Sequence, residues 1–159
     1  MEFVPQLSSS LLKRLLRLAG DPVESCGLLR GRGRVVVAAP AAANVAANPH
    51  NSFEIDPAAL IAAHRAARRA GGLTLLGYYH THPSGVAMPS ATDACCAAPD
   101  GMIWLIAATD MVRAFRAGAS GRLHGRFDPV PIDLVVGKRP PERVGGYGVN
   151  GPTPWENMG

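Results

Sequence analysis

The chain has 159 residues, of which 47% are hydrophobic. This is enough for one domain with a substantial core and too little for two ordinary domains. The formal net charge is +4, from 16 Lys and Arg against 12 Asp and Glu, and no basic run is dense enough to predict a nucleic-acid-binding arm. No apolar stretch reaches the length of a membrane span, and the first residues lack the order of a signal peptide. We therefore expect a cytoplasmic protein with neither nucleic-acid nor membrane partners.

The first half of the chain predicts two helices separated by short strands. Leucines recur at helical spacing over residues 8–18, after serines that can cap the helix. Residues 24–30 and 34–38 predict two strands joined by a Gly-Arg-Gly turn, and residues 39–51 predict a short strand between loops. Residues 53–56 predict a brief extended piece, in which Asp56 can cap a helix that begins at Pro57 and reaches about residue 70.

The second half predicts one buried strand, one short helix and a meander. The apolar run at residues 73–79 predicts a central strand that ends at His80, and Ser90 opens a short helix over residues 90–97. An antiparallel meander of three strands is predicted at residues 102–108, 111–116 and 123–127. Turns separate these strands, and the second turn is predicted at residues 118–121. The element order predicts an α/β domain over residues 1–136, with a mixed sheet flanked by helices, and a poorly ordered Pro/Gly-rich tail at residues 137–159.

Two histidines at the end of the buried strand predict a metal site. His80 and His82 are two residues apart on extended chain, so both side chains point to one face. Asp93 supplies a third ligand, and a set without thiolate favours a hydrolytic zinc ion with an open coordination position. A structural interpretation competes, because Ser90-x-x-Asp93 also resembles a helix capping box. Both interpretations hold together if Ser90 caps the helix while Asp93 faces the ion.

The remaining histidines and the cysteines predict structural roles. Three cysteines, two of them adjacent, make a poor disulfide framework and lack the Cys-x-x-Cys spacing of a zinc ribbon. Cys26 is expected to pack beside Glu24 on a strand, and Cys95 and Cys96 are expected to fill the short helix. Surface or structural roles are also favoured for the other histidines, which are His50, His64 and His124.

The spacing of five residues resembles a known motif. His80-x-His82, followed after seven residues by Ser90-x-x-Asp93 and preceded far upstream by Glu24, resembles the JAMM motif of MPN-domain metalloproteases. The segments Glu-Ser-Cys-Gly-Leu-Leu-Arg-Gly at 24–31 and Phe-Glu-Ile-Asp-Pro at 53–57 extend the resemblance over residues 7–130. Since all five motif residues are present, the chain resembles the active branch of the family. The resemblance implies a largely antiparallel, curved sheet of the cytidine-deaminase-like type.

The resemblance also implies a role for each motif residue. His80, His82 and Asp93 would bind zinc. Glu24 would be the general acid/base, which takes a proton from the attacking water and later protonates the leaving amine. Ser90 would donate a hydrogen bond to the tetrahedral oxyanion. Without the resemblance, Glu24 would be interpreted as a surface carboxylate at a strand end.

The compact length narrows the expected substrate. Single-domain members of the family resemble bacterial and archaeal enzymes that act on ubiquitin-like sulfur-carrier proteins. The resemblance therefore implies zinc-dependent hydrolysis of the amide bond after the C-terminal Gly-Gly of a small β-grasp protein. Two alternatives stay open, namely a non-enzymatic MPN-type assembly module and a zinc hydrolase of a small amide. A homodimer also stays open, as does inhibition by the C-terminal tail.

Overall fold

The structure is a computed structural model that describes residues 3–83 and 85–136. In chain order, these residues form β1 (Gln6–Ser8), α1 (Ser9–Leu18), β2 (Cys26–Arg32), β3 (Val35–Ala38), β4 (Ala41–Ala42), α2 (Pro57–Ala67), β5 (Thr74–Thr81), α3 (Ala91–Cys96), β6 (Ile103–Ala107), β7 (Val112–Gly121), β8 (Gly125–Val130) and β9 (Asp133–Val135). The predicted tail, with its expected disorder, lies outside the described residues.

The strands form one mixed sheet in the order β8-β7-β6-β5-β2-β3-β1-β9, and β4 also pairs with β2. The pairs of β2 with β3, β4 and β5 are antiparallel, as are β6 with β7 and β7 with β8. Only β5 with β6 and the two pairs of β1 are parallel in this part of the chain. The predicted α/β class with a mixed, largely antiparallel sheet is confirmed.

The helices cover the two faces of the sheet. On one face, Leu11 and Leu15 of α1 pack in a cluster with Tyr79 and Leu105. On the other face, α2 covers Cys26 and Leu28, while α3 packs against Trp104 and Ile106. Tyr79 belongs to the α1 face, so strand alternation turns the next residue, His80, toward the α2 and α3 face.

The helix starts follow the predicted capping. The Ser8 side chain accepts a hydrogen bond from Leu11 N at 3.1 Å, and that of Asp56 accepts one from Ala58 N at 3.0 Å. The three predicted meander strands are also present as β6, β7 and β8. No helix in the described ranges is long and apolar enough to cross a membrane.

Three expectations were wrong in detail. The second helix ends at Ala67, before the predicted residue 70. The turn predicted at residues 118–121 belongs to β7, which continues to Gly121 because a register shift lets it keep pairing with β8. Cys95 and Cys96 are exposed, because α3 buries Asp93 and Ala94 instead. The short strands β1 and β9 were not predicted, since three residues each are too short to show a period.

We predict that Gly77→Ala destabilises the fold by about 1–3 kcal/mol. Gly77 pairs with Ile103 across β5 and β6, and an added Cβ would overlap the Ile103 carbonyl group. Chemical denaturation of the variant measures the effect. Gly118→Ala is the matched control, because no described heavy atom lies within 4 Å of its added Cβ. Equal stability of the two variants would contradict the predicted close approach of β5 and β6.

Candidate metal centre

His80 is held within the sheet under aromatic rings. It lies near the end of β5 with no exposed surface. Phe53 stacks on its ring at a centroid distance of 4.2 Å and an interplanar angle of 21°, and Trp104 meets it edge-on at 5.7 Å. This burial lowers the pKa of His80 and outweighs the opposing effect of Asp93. The neutral ring that results is the form that ligates metals.

His82 is fixed by the backbone on either side of its ring. It follows β5 directly, and its N–H donates to the Ala107 carbonyl at 2.8 Å. Its Nδ1 lies 2.8 Å from the Val86 carbonyl, so Nδ1 carries the proton and Nε2 keeps its lone pair in the neutral ring. Burial alone would lower the pKa of His82, but the hydrogen bonds to Asp93 and Val86 raise it above its ordinary value.

Ser90 and Asp93 form a complete capping box at the start of α3. Ser90 Oγ accepts from the Asp93 N–H at 3.0 Å, and the Ser90 N–H donates to Asp93 Oδ2 at 2.8 Å. The same Oδ2 atom faces both histidine rings. Burial would raise the pKa of Asp93, but the hydrogen bonds from His80 and His82 hold it far below its usual range. The capping and the metal-facing interpretations therefore both hold for Asp93.

The three side chains converge on one point. His80 Nε2 lies 2.9 Å from His82 Nε2, and Asp93 Oδ2 lies 3.3 Å from the first and 3.2 Å from the second. Tetrahedral zinc with bonds of about 2.0–2.1 Å separates its nitrogen and oxygen ligands by roughly 3.3 Å. Three lone-pair atoms this close in a buried site repel one another unless a cation or protons lie among them. The two distances to Asp93 match this separation, the distance between the histidine nitrogens is shorter, and the donor set fits zinc.

Glu24 comes from the neighbouring strand. In the antiparallel pair of β2 and β5, Cys26 lies opposite His80. The Thr81 N–H donates to the Ser25 carbonyl at 2.9 Å, which continues this register toward residue 24. Continuing it by one more residue places Glu24 opposite His82. Glu24 and His80 are 56 residues apart in the sequence, and the pairing of β2 with β5 brings them close together in space.

The Glu24 carboxyl group is buried and unsatisfied. The residue is 6% exposed, and its Oε2 has no hydrogen-bond partner among the described residues. Burial raises the pKa of Glu24 from 4.5 to about 7, with His82 lowering it and Asp93 raising it. A carboxyl group with this pKa, next to the side chains that can ligate a metal, suits proton transfer at neutral pH.

The remaining predicted residues lie outside this cluster. His50 and His64 are exposed, and His124 Nε2 is 3.1 Å from the Pro89 carbonyl. The metal-ligand group in the described residues contains His80, His82 and Asp93 and none of these three. Cys26 is buried, as expected, and its thiol has a pKa raised to about 11, mainly by burial.

Sequence reasoning missed the residues that surround the ligands. Phe53 covers His80, the Val86 carbonyl orients His82, and Thr81 Oγ1 accepts from the Ser25 N–H at 2.8 Å. Only Thr81 carried a sequence signal, because it lies between the two histidines. The contact of Phe53 with His80 joins segments whose meeting no local pattern indicates, and the contact of Val86 with His82 spans only four residues but follows no sequence pattern.

Taken together, the three metal ligands and the family match over residues 8–118 define a class, the zinc-dependent hydrolases of the JAMM/MPN fold. The sequence matches the family of prokaryotic homologs of the JAB domain over residues 8–118. This match covers more than half of the chain, and the chain belongs to that family.

Two relatives are similar in sequence. A desampylase of Haloferax volcanii is 41% identical over 95 residues, which cover 58% of this chain and 68% of that protein. A protein of Thermus thermophilus, described as a probable TtuB-protein conjugate cleaving protease, is 40% identical over 114 residues. That match covers 71% of this chain and 74% of the relative.

Solved structures show the same fold. A protein from Desulfitobacterium hafniense has a TM-score of 0.71 and 26% identity, over 84% of this chain and 94% of its own. A protein from Salinibacter ruber has a TM-score of 0.56 and 24% identity, over 91% of this chain and 100% of its own. Both agree with the fold assigned above.

We predict that Asp93→Asn weakens zinc binding by at least about 100-fold without unfolding α3. The amide oxygen can still accept the Ser90 N–H bond, but the charged ligand is lost. Ser90→Ala is the matched variant, because it removes the cap oxygen and leaves the three ligands; it should cost about 1 kcal/mol of stability and retain zinc. Zinc content after dialysis and urea denaturation measure the two effects. Retention of zinc by Asp93→Asn would exclude the carboxylate as a ligand.

We also predict that Glu24→Gln stabilises the metal-free protein above neutral pH. The unfolded chain releases the Glu24 proton at its ordinary pKa of 4.5, whereas the folded protein holds it to about 7. The carboxyl group therefore lowers the free energy of unfolding as pH rises through this window. At about pH 8 the variant should be more stable by about 1–2 kcal/mol, allowing for solvent screening.

The comparison is urea denaturation with chelator, at about pH 8 and at about pH 4.5, where the difference should vanish. Glu54→Gln is the control, because Glu54 is exposed and its removal should leave the pH dependence unchanged. An identical pH dependence in wild type and Glu24→Gln would show that Glu24 is not buried as described.

Proposed function

We propose that this protein is a zinc-dependent isopeptidase or peptidase that hydrolyses the amide bond after the C-terminal Gly-Gly of a ubiquitin-like or sulfur-carrier protein. The observation that carries the proposal is the buried Glu24 carboxyl group, whose Oε2 has no hydrogen-bond partner among the described residues, beside the His80, His82 and Asp93 cluster. The name of the Thermus relative states cleavage of protein conjugates, and the proposal extends that activity to this chain.

His80, His82 and Asp93 would hold the zinc through His80 Nε2, His82 Nε2 and Asp93 Oδ2, the atoms that converge in the structure. When bound, zinc would act as a Lewis acid that polarises the scissile carbonyl group and acidifies water. Phe53 and Trp104 shield the His80 ring, so its position is set by packing. The Val86 carbonyl group holds His82 in the ligating tautomer.

Glu24 would serve as both base and acid. In the metal-free protein, burial raises the pKa of its carboxyl group to about 7, which shows that the site disfavours the charged form. The carboxylate takes a proton from the attacking water, and the resulting acid returns that proton to the leaving amine. Water thereby adds to the carbonyl carbon, the carbon–nitrogen bond breaks, and Glu24 ends ionised as it began.

Ser90 would stabilise the oxyanion. Its Oγ already accepts the Asp93 N–H at 3.0 Å, which fixes the oxygen beside a ligand of the metal. The hydroxyl proton remains to donate to the negative charge that develops on the substrate oxygen. The cap that begins α3 would therefore also orient a donor toward the reacting group.

A Gly-Gly terminus suits the approach to this site. The four residues that would carry the chemistry around the metal, Glu24, His80, His82 and Asp93, are each at most 7% exposed. A substrate chain must therefore come close to the sheet, and glycine permits such an approach because it has no side chain. The folded body of the carrier would remain outside.

The test uses a small β-grasp protein whose C-terminal Gly-Gly is joined to cysteine or to a lysine side chain, with cleavage read by intact mass. Wild type with zinc should release the carrier ending in Gly-Gly. Glu24→Gln should lose about 100- to 10,000-fold in kcat while retaining zinc, and Ser90→Ala about 100- to 1,000-fold. Glu54→Gln should retain full activity.

Carriers ending in Ala-Ala should be poor substrates. Undiminished cleavage by Glu24→Gln, or by protein stripped of metal, would refute the mechanism. Zinc-loaded wild type that cleaves none of these conjugates would refute the substrate class.

A further inference from the structure

We propose that Asn44 is a positioning residue that sets the place of Glu24 through the backbone. Its side-chain Nδ2 donates to the Glu24 carbonyl at 3.0 Å and to the Ser52 carbonyl at 3.1 Å. Its Oδ1 accepts from the Ala46 N–H at 3.1 Å and from the Glu54 N–H at 3.1 Å. The inference rests on the acid/base role proposed for Glu24.

The amide of Asn44 is fully used. A primary amide offers two N–H donors and an oxygen with two lone pairs, and here all four are taken by backbone groups. No other side chain of this size offers two donors and two acceptors on one planar group. The residue thus joins three separate stretches of backbone, around residues 24, 46 and 52–54, at a single point.

Glu24 needs such support because it lies outside the regular ladder. β2 begins at Cys26, and the Glu24 backbone is held instead by the loop between β4 and α2. Its N–H donates to the Pro49 carbonyl at 2.9 Å, and its carbonyl accepts from Asn44. Since Oε2 of the side chain has no partner in the described residues, the direction of the carboxyl group depends on where the backbone is held.

The Asn44 side chain also binds the segment that covers His80. Asn44 binds the carbonyl of Ser52 and the N–H of Glu54, which flank Phe53. The Phe53 ring stacks on His80. Asn44 therefore connects the backbone of the proposed acid/base with the segment that covers a metal-binding ring, and its four side-chain hydrogen bonds all go to backbone groups.

Two substitutions distinguish the contribution of the Asn44 donor group, Nδ2, from that of its acceptor, Oδ1. Asn44→Asp keeps acceptors for Ala46 and Glu54 but places a carboxylate oxygen against the carbonyls of Glu24 and Ser52, which is repulsive. Asn44→Ala removes all four bonds. Asn48→Ala is the matched control, because Asn48 lies in the same loop and is exposed.

With the Gly-Gly conjugate as substrate, both Asn44 variants should lose about 10- to 100-fold in kcat, since misplacement of a catalytic group by about 1 Å has effects of this order. KM and zinc content should stay within about threefold of wild type, and Asn48→Ala should match wild type. In the Glu24→Gln background, Asn44→Asp should cause no further loss, because Asn44 acts through the group already removed.

A measurement without substrate distinguishes failure of this inference from failure of the proposed function. The chain has five glutamates, so carboxyl-¹³C labelling of glutamate gives a simple spectrum in which Glu24→Gln identifies the Glu24 signal. In the metal-free protein, Asn44→Asp and Asn44→Ala should shift that signal, and Asn48→Ala should not. An unmoved Glu24 signal would overturn the positioning role even if conjugates are cleaved. An additive kcat loss in the Glu24→Gln background, or a loss of zinc, would also overturn it.

Discussion

The pairing of β2 with β5 is the constraint on which the metal centre depends. Its antiparallel register sets Cys26 opposite His80, and its continuation through Ser25 and Thr81 sets Glu24 opposite His82. Because side chains alternate across a strand, a shift of one residue would turn the Glu24 carboxyl group to the face covered by α1. Toward its other end, the pairing contains a register shift at Leu29/Arg30, away from the residues of the metal centre. The chemistry of the site is thus fixed by backbone hydrogen bonds.

Asp93 shows how one atom can serve the fold and the site together. Its Oδ2 closes the capping box of α3 and faces two imidazole nitrogens. The short helix needs the cap, because a six-residue helix gains little from its own hydrogen bonds. The ligand set in turn needs the helix start, because the cap holds the carboxylate in one direction. In that direction the carboxylate meets both histidines and the Ser90 N–H, and their hydrogen bonds hold the pKa of Asp93 far below its usual range.

Local sequence patterns predicted several helices and the metal-ligand group. Capping residues and leucine spacing located α1 and α2, and His-x-His with Ser-x-x-Asp located the ligand group and the start of α3. Glu24 could be singled out only through its resemblance to a motif, because nothing near it in the chain distinguishes it from a surface carboxylate. Phe53 was noted only as part of the resembling segment at 53–57, with no role assigned, and Asn44 was not found at all. Their contacts join the loop between β4 and α2 to strands distant in sequence, and such pairings depend on sheet order, which periodicity does not encode.

The cost of burying Glu24 also distinguishes an enzyme from an assembly module. A scaffold could keep the capping box and even a bound ion, since both lower the free energy of the fold. It would gain nothing from a carboxyl group that is 6% exposed and whose Oε2 has no hydrogen-bond partner among the described residues, because in the metal-free protein burial raises its pKa to about 7 and opposes folding at neutral pH. Such a group persists where the surrounding structure overdetermines its place, and here the β2–β5 register and the loop that binds the Glu24 backbone do so. A buried acid held in place by its backbone is the arrangement that proton transfer to and from a substrate requires.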